Sequence, residues 1–185
     1  MKLRALCAAA LCLTISPAAA STWAVDHGRS RLGFTVQWSG ETFSAFFKSW
    51  KADIAFDPAD LAHSKAVVTI DLTSEVSDSP DNDDGLKGPE GFATSQFPTA
   101  KFETNGFTAK GGNVYVAMGR LTLHGVTKAV TLPFNLTISG DNAHMSGRTV
   151  VSRLDFGLGA GEWSSEKVIA HAVTITVDLT ATKEH

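Results

Sequence analysis

The segment GRLTLHGVTKAVTL, residues 119–132, constrains the fold of this chain more than any other stretch. Its two halves meet at the corner His124-Gly125, and apolar side chains take alternate positions on both sides of that corner. In the second half the alternation continues from Val130 to Ile138. When apolar residues recur at every second position, their side chains all lie on one face of a strand. The segment therefore predicts a hairpin of two half-buried antiparallel strands.

The same alternation recurs in Leu32–Trp38 and in Val173–Leu179, which predicts an all-β fold. A slip of one residue would turn a whole apolar row towards water, so the register of these strands is strongly specified. Short, evenly spaced strands are typical of a sandwich or an up-and-down barrel, and the residues alone leave both open. The predicted strands lie near residues 22–26, 31–39, 43–57, 66–74, 99–108, 113–124, 127–139, 144–153 and 168–181.

Residues 1–20 have the pattern of a secretory signal peptide. Lys2 and Arg4 precede the apolar stretch Ala5–Ile15, and the small residues Ala18–Ala20 form a cleavage site. We therefore predict a periplasmic protein with one domain at residues 21–185. Cys7 and Cys12 both fall within the signal peptide, so disulfide and thiol chemistry are excluded from that domain.

Composition and motifs argue against several classes of function. The chain has 19 acidic and 16 basic residues, and no cluster of Lys and Arg marks a nucleic-acid surface. The six histidines lack metal-ligand spacing, and the acidic run Asp78–Asp84 does not fit a calcium loop, so we expect no metal. No nucleophile motif is present, which predicts a protein that is not an enzyme.

A long polar segment, residues 77–96, interrupts the strands. Its Asp, Gly and Pro content breaks the alternation for longer than a hairpin loop requires. Leu86 and Phe92 are expected to anchor a short helix over the end of the fold. Farther along, Arg153 and Asp155 are expected to form an ion pair that closes a strand end.

The aromatic residues form a row of their own in the predicted strand 43–57. Phe46, Trp50, Ile54 and Phe56 share the even parity of a single face. Such a row suits a sandwich core and equally a barrel of about eight strands around one small apolar ligand. His171 has the parity of the apolar row Val173–Leu179 and is expected to face inward.

Five motifs stand in an order that resembles the YceI family of secreted polyisoprenoid-binding proteins. They are WAVDHGRSRLGFTV at 23–36, IAFDPADL at 54–61, FPTAKFET at 97–104, GRLTLHGVTKAVTL at 119–132 and SRLDFG at 152–157. The resemblance implies an eight-stranded antiparallel, lipocalin-like barrel, with one long loop or short helix at about 77–96. It also implies an apolar interior that holds the tail of a polyisoprenoid or an isoprenoid quinone, with no covalent cofactor.

The alternating rows and the resemblance together predict which residues line that interior. This set comprises Leu32, Phe34, Val36, Trp38, Phe46, Trp50, Ile54, Phe56, Phe102, Leu121, Leu123, Phe134, His171, Val173 and Ile175.

The long loop departs from the family in one respect that bears on the head group of the ligand. Many members carry an Arg-Asp pair before a Leu, where this chain reads Asn82-Asp83-Asp84-Gly85-Leu86. Without the basic residue, a neutral quinone or amide head group is favoured over a phosphate.

The favoured interpretation is a periplasmic carrier of an amphiphilic lipid. Transient membrane contact and a homodimer are compatible with this interpretation. The alternatives are a quinone-dependent redox protein, with His171 or His124 beside the head group, and a stress-protective protein with a filled core.

Overall fold

The computed structural model describes residues 20–159 and 161–185, so the predicted signal peptide lies outside the described residues apart from Ala20. The helix α1 spans Pro80–Lys87. The strands are β1 (Thr22–Val25), β2 (Arg31–Trp38), β3 (Glu41–Phe47), β4 (Trp50–Ala55), β5 (Lys65–Asp71), β6 (Glu75–Ser77), β7 (Thr99–Gly111), β8 (Val114–Leu123), β9 (Val126–Ser139), β10 (Asn142–Ser152) and β11 (Ile169–Lys183).

These eleven segments form the eight strands of a closed antiparallel barrel, which confirms the predicted fold class. Three barrel strands are interrupted and consist of β1 with β2, β3 with β4, and β5 with β6. The remaining five are β7 to β11, each paired with the next along the chain. The long strand β11 pairs with β2 and then with β1, which closes the barrel.

The predicted hairpin is formed by β8 and β9, which pair without a register shift. His124 and Gly125 connect them with positive φ angles of 52° and 73°. Two successive positive φ angles characterise the tight turn whose twist matches that of the flanking strands. The corner therefore fixes the register that turns Leu121 and Leu132 into the barrel.

The predicted strand 43–57 is wrong in one respect, because it is two strands separated by Lys48 and Ser49. The backbone N–H of Lys48 donates to the Ser74 carbonyl, and Ser49 accepts from the N–H of Asp71. These bonds bend the chain between β3 and β4. The inward face consequently changes from odd positions in β3 to even positions in β4.

The long polar segment contains the helix α1, as predicted. Pro80 occupies its first turn, where the missing N–H costs no hydrogen bond. Leu86 and Phe92 are each 8% exposed and belong to the core. In the part of the chain that the model describes, no helix has the length and apolar character needed to span a bilayer.

Candidate functional site

Two cavities lie end to end inside the barrel. The upper cavity, on the side of α1, measures about 120 Å³, and the lower cavity, on the side of β1, about 180 Å³. The two cavities share four lining residues, so they adjoin at one level of the barrel, and we call the two cavities together the tunnel. We call these four the waist: Leu32, Ile70, Leu121 and Ile175.

The lining of the tunnel is almost wholly apolar. Among the described lining residues, only Glu90 and Arg153 have ionisable side chains, and both border the upper cavity. The lower cavity has Thr104 and Thr149 among otherwise apolar and aromatic neighbours. A cavity of this composition favours an apolar ligand, because it offers few partners to polar groups.

Thirteen of the fifteen residues predicted to line the interior border one cavity or both. Whether they contact a ligand stays a prediction. The upper cavity is bordered by Phe34, Val36, Trp38, Leu123 and Val173. The lower cavity is bordered by Trp50, Ile54, Phe56, Phe102 and Phe134, and the waist accounts for Leu32, Leu121 and Ile175.

Phe46 does not line the tunnel, which corrects the prediction. It pairs with Val76 on β6, between the inward-facing Phe47 and Ala45. On the outer face the guanidinium carbon of Arg31 lies 4.2 Å from the centre of the Phe46 ring. The prediction from the even-numbered positions fails at Phe46, because the break at Lys48 and Ser49 changes the inward-facing positions from odd to even numbers.

His171 also lies outside both cavity linings. The register of β11 against β2 shifts between Ile169 and Val173, so residues 170–172 of β11 lie opposite Gln37 alone on β2. His171 lies in the middle of this irregular stretch, so its side chain does not follow the inward direction of Ile169 and Val173 on either side. The side chain of His171 is 36% exposed, with Nε2 3.3 Å from the Ser164 carbonyl oxygen.

Two segments cover the upper end of the tunnel: α1 with the loop that follows it, and the loop between β10 and β11. The N–H of Gly159 joins them by donating to the Glu90 carbonyl at 2.8 Å. The ring of Trp163 packs 5.2 Å from that of Trp38. The sequence did not identify Trp163 or Glu90 as site residues, because neither belongs to an alternating strand.

Arg153 holds the loop between β10 and β11 in place, and the predicted ion pair with Asp155 is not formed. Arg153 is 6% exposed, whereas Asp155 is exposed. The five N–H groups of the Arg153 guanidinium are directed at five backbone carbonyls at 2.6–3.5 Å. These are the carbonyls of Leu158, Gly159, Trp163, Ile169 and Ala170.

That arrangement leaves the buried guanidinium no free donor for a ligand. Burial lowers the pKa of Arg153, and the charge of Glu166 acts in the opposite direction. Gly159 is required next to the guanidinium, since a Cβ there would collide with Nη1 of Arg153 and the φ of Gly159 is 85°. We therefore assign Arg153 to the structure of the loop.

Glu75, the first residue of β6, is a second buried ionisable residue. It is fully buried, and both carboxyl oxygens lack a hydrogen-bond partner among the described residues. Desolvation by burial raises the pKa of Glu75 to about 7, and the charge of Asp83 on α1 adds to this effect. Lys87 acts in the opposite direction. The carboxyl group is therefore neutral over much of the acidic range.

His124 has a structural environment at the hairpin corner. Its Nδ1 lies 3.2 Å from the carbonyl oxygen of Phe156, and its ring packs against Phe97. Within residues 20–159 and 161–185, no three His, Cys, Asp or Glu side chains come together as metal ligands.

Comparison with known proteins identifies the family. The model of the YceI-like domain matches residues 23–181, which is nearly the whole described chain. The chain belongs to the YceI family. A UPF0312 protein of Photorhabdus laumondii is 35% identical over 138 residues, which cover 73% of this chain and 71% of that protein.

Solved structures of YceI proteins have the same barrel. The crystal structure of BcnA from Burkholderia cenocepacia has a TM-score of 0.83 at 30% identity, covering 86% of this chain and all of that one. A polyisoprenoid-binding domain from Saccharophagus degradans, implicated in plant cell wall breakdown, has a TM-score of 0.70 at 16% identity. It covers 89% of this chain and 99% of that domain, and at this identity the likeness establishes the fold alone.

Proposed function

We propose that this protein binds a long-chain isoprenoid lipid, with the chain lying along the tunnel. The observation that carries the proposal is the pair of adjoining apolar cavities inside the barrel, which we infer to be filled by one chain. Membership of the YceI family and the likeness to a polyisoprenoid-binding domain support an isoprenoid as the ligand. Capture of a chain without breaking a bond accounts for such a lining.

The length of the tunnel favours a chain longer than an ordinary acyl tail. Ile169 borders the upper cavity, and Ala181, twelve residues along β11, borders the lower one. At ~3.3 Å per residue and a strand tilt of ~40°, that distance corresponds to about 30 Å along the barrel axis. The hydrocarbon core of a bilayer, which spans two leaflets, is also ~30 Å thick.

Burial of the chain supplies the binding energy. Each CH₂ group transferred from water contributes ~0.8 kcal/mol, so about 20 carbons offset the cost of association without a strong polar contact. Affinity therefore depends on chain length and on the width of the waist.

The charges near the tunnel favour an uncharged head group, such as a quinone ring, an alcohol or an amide. The donors of Arg153 are directed at backbone carbonyls, and Glu90 contributes a carboxylate at the upper end. Burying a phosphate there would cost its hydration without providing a free cation in return. The missing basic residue in the loop Asn82–Leu86 supports the same conclusion.

A periplasmic carrier is the biological role that this proposal implies. The pattern of residues 1–20 supports export, and a tunnel of this kind shields a water-insoluble chain between membranes. Such a carrier needs a lipid donor and an acceptor, and contact with each of them is brief.

Native mass spectrometry of protein purified from its own host tests this proposal. We expect a co-purified species, released by denaturation, with the mass of a neutral isoprenoid lipid. Protein without any retained lipid would contradict the binding function. A retained isoprenoid phosphate would contradict only the assignment of the head group.

A further inference from the structure

The barrel wall has a gap between β9 and β10. Their pairing ends at Phe134 and Gly147, although β9 starts eight residues earlier, at Val126, and β10 continues for five more residues, to Ser152. We call the gap between Ala129–Pro133 and Arg148–Ser152 the β9–β10 slit. Every other junction between consecutive long strands, from β7 to β9 and from β10 to β11, is paired over nearly its full length.

Pro133 explains why the pairing ends where it does. The N–H of Leu136 donates to the Asn113 carbonyl on the β8 side, at 2.9 Å. Backbone groups alternate in direction along a strand, so odd-numbered residues of β9 direct theirs towards β10. Pro133 is odd-numbered and has no N–H, which removes the next hydrogen bond of the ladder.

The slit leads into the tunnel close to the waist. Val130 on β9 and Thr149 on β10 border the lower cavity, whereas Val151 borders the upper one. Continuing the register of the paired part would place Val130 opposite Val151. The gap in the ladder therefore lies beside the place where the two cavities meet.

The outer edge of the slit is apolar. Val150 is 62% exposed and Leu154 is 42% exposed, the two highest values among large hydrophobic side chains in the described chain. Val150 lies on the slit itself, and Leu154 follows directly after β10. These side chains reduce the cost of moving an apolar chain across the barrel wall.

Entry through the ends of the barrel would meet covering segments at the upper end and an aromatic cluster in the lower cavity. At the upper end α1 and the loop between β10 and β11 are joined through Gly159 and Glu90. In the lower cavity the rings of Phe56, Phe107 and Phe134 contact one another at centroid distances of 5.1–6.3 Å. A long chain that entered lengthwise would have to pass one of these barriers and then the waist.

We propose that the β9–β10 slit is a lateral portal through which the lipid chain moves sideways into the tunnel. This inference rests on the proposed function, since it concerns the route of the same ligand. Strands β9 and β10 separate at the slit without breaking any hydrogen bond of the ladder. The paired part of the two strands, from Phe134 to Ser139, keeps the barrel closed during passage.

Crosslinking across the slit tests the portal. Thr131→Cys and Val150→Cys, both exposed, are introduced into the full chain together with Cys7→Ala and Cys12→Ala. The two thiols are joined by a short, cleavable bifunctional reagent. The matched control is Thr137→Cys with His144→Cys, an exposed pair on the same two strands within the paired part.

The probe is a long-chain polyprenyl alcohol in phosphatidylcholine vesicles. Its uptake is followed by tryptophan fluorescence, because Trp23, Trp38, Trp50 and Trp163 all border the tunnel. We expect the crosslink across the slit to slow uptake about tenfold or more, cleavage to restore it, and the control crosslink to leave it unchanged. Uptake at the uncrosslinked rate, or equal slowing by the control, would overturn the portal. If the uncrosslinked protein takes up no alcohol, the proposed function itself fails.

Discussion

Replacing Arg153 with Met is expected to lower the free energy of unfolding by about 3 kcal/mol or more, because charged donors to several buried acceptors are lost at once. The carbonyls of Gly159 and Ile169 are buried and accept from Arg153. In the variant both carbonyls lose the donor that Arg153 supplies, and the loop between β10 and β11 loses its central support. Urea unfolding followed by tryptophan fluorescence measures the effect.

Two variants distinguish this role from a general effect of charge. Arg153→Lys keeps the charge but has three donors on one nitrogen, so we expect it to recover only part of the stability. Arg148→Met removes an exposed Arg five residues earlier, on β10, and should change stability little. A loss for Arg153→Met no larger than that for Arg148→Met would contradict the structural assignment.

Glu75 is expected to make the protein less stable as the pH rises from about 4.5 to 7. Its pKa in the folded protein is about 7, against an ordinary value of 4.5, so the folded state binds more protons than the unfolded state in this interval. Stability conferred by the protonated carboxyl is therefore complete at low pH and is lost as the pH approaches the folded pKa. The loss amounts to at most about 3 kcal/mol.

Glu75→Gln should remove this pH dependence. The amide is neutral at every pH and nearly the same size as the carboxyl. Compared with the wild type, the variant should be similarly stable near pH 5 and clearly more stable near pH 8 in urea unfolding. Asp78→Asn, at an exposed neighbouring position, is the control. A wild-type protein whose stability rises between these pH values, with Glu75→Gln following the same curve, would contradict the assignment.

The strands and most of the tunnel lining were predictable because a half-buried strand leaves a period of two in the sequence. The period is a local signal, and it failed where the chain departs from regular pairing. Phe46 precedes the break at Lys48 and Ser49, and His171 lies within the register shift of β11. Neither irregularity has a signature in the alternation itself.

The buried polar residues could not be predicted for a different reason. The partners of Arg153 are backbone carbonyls of loop and strand residues, which have no sequence signature. The nearby Asp155 suggested an ion pair that is not formed. The burial of Glu75 depends on α1, which packs on β6 from a segment that the sequence marks mainly as polar. Pro133 is visible in the sequence, but its direction towards β10 depends on the pairing with β8.

Blocking the waist tests most directly whether the tunnel holds the lipid chain. Leu121→Trp adds an indole at the junction of the two cavities, and the adjoining space of about 120 and 180 Å³ can accept it without unfolding the barrel. Arg120→Trp adds the same side chain to the exposed face of β8.

The measurement is the equilibrium binding of a long-chain polyprenyl alcohol to both variants, with thermal unfolding to verify that they are folded. We expect Leu121→Trp to lose at least about tenfold in affinity, because the chain can no longer lie across the waist, and Arg120→Trp to bind like the wild type. A folded Leu121→Trp protein that binds the alcohol with wild-type affinity would show that the chain is not held in the tunnel.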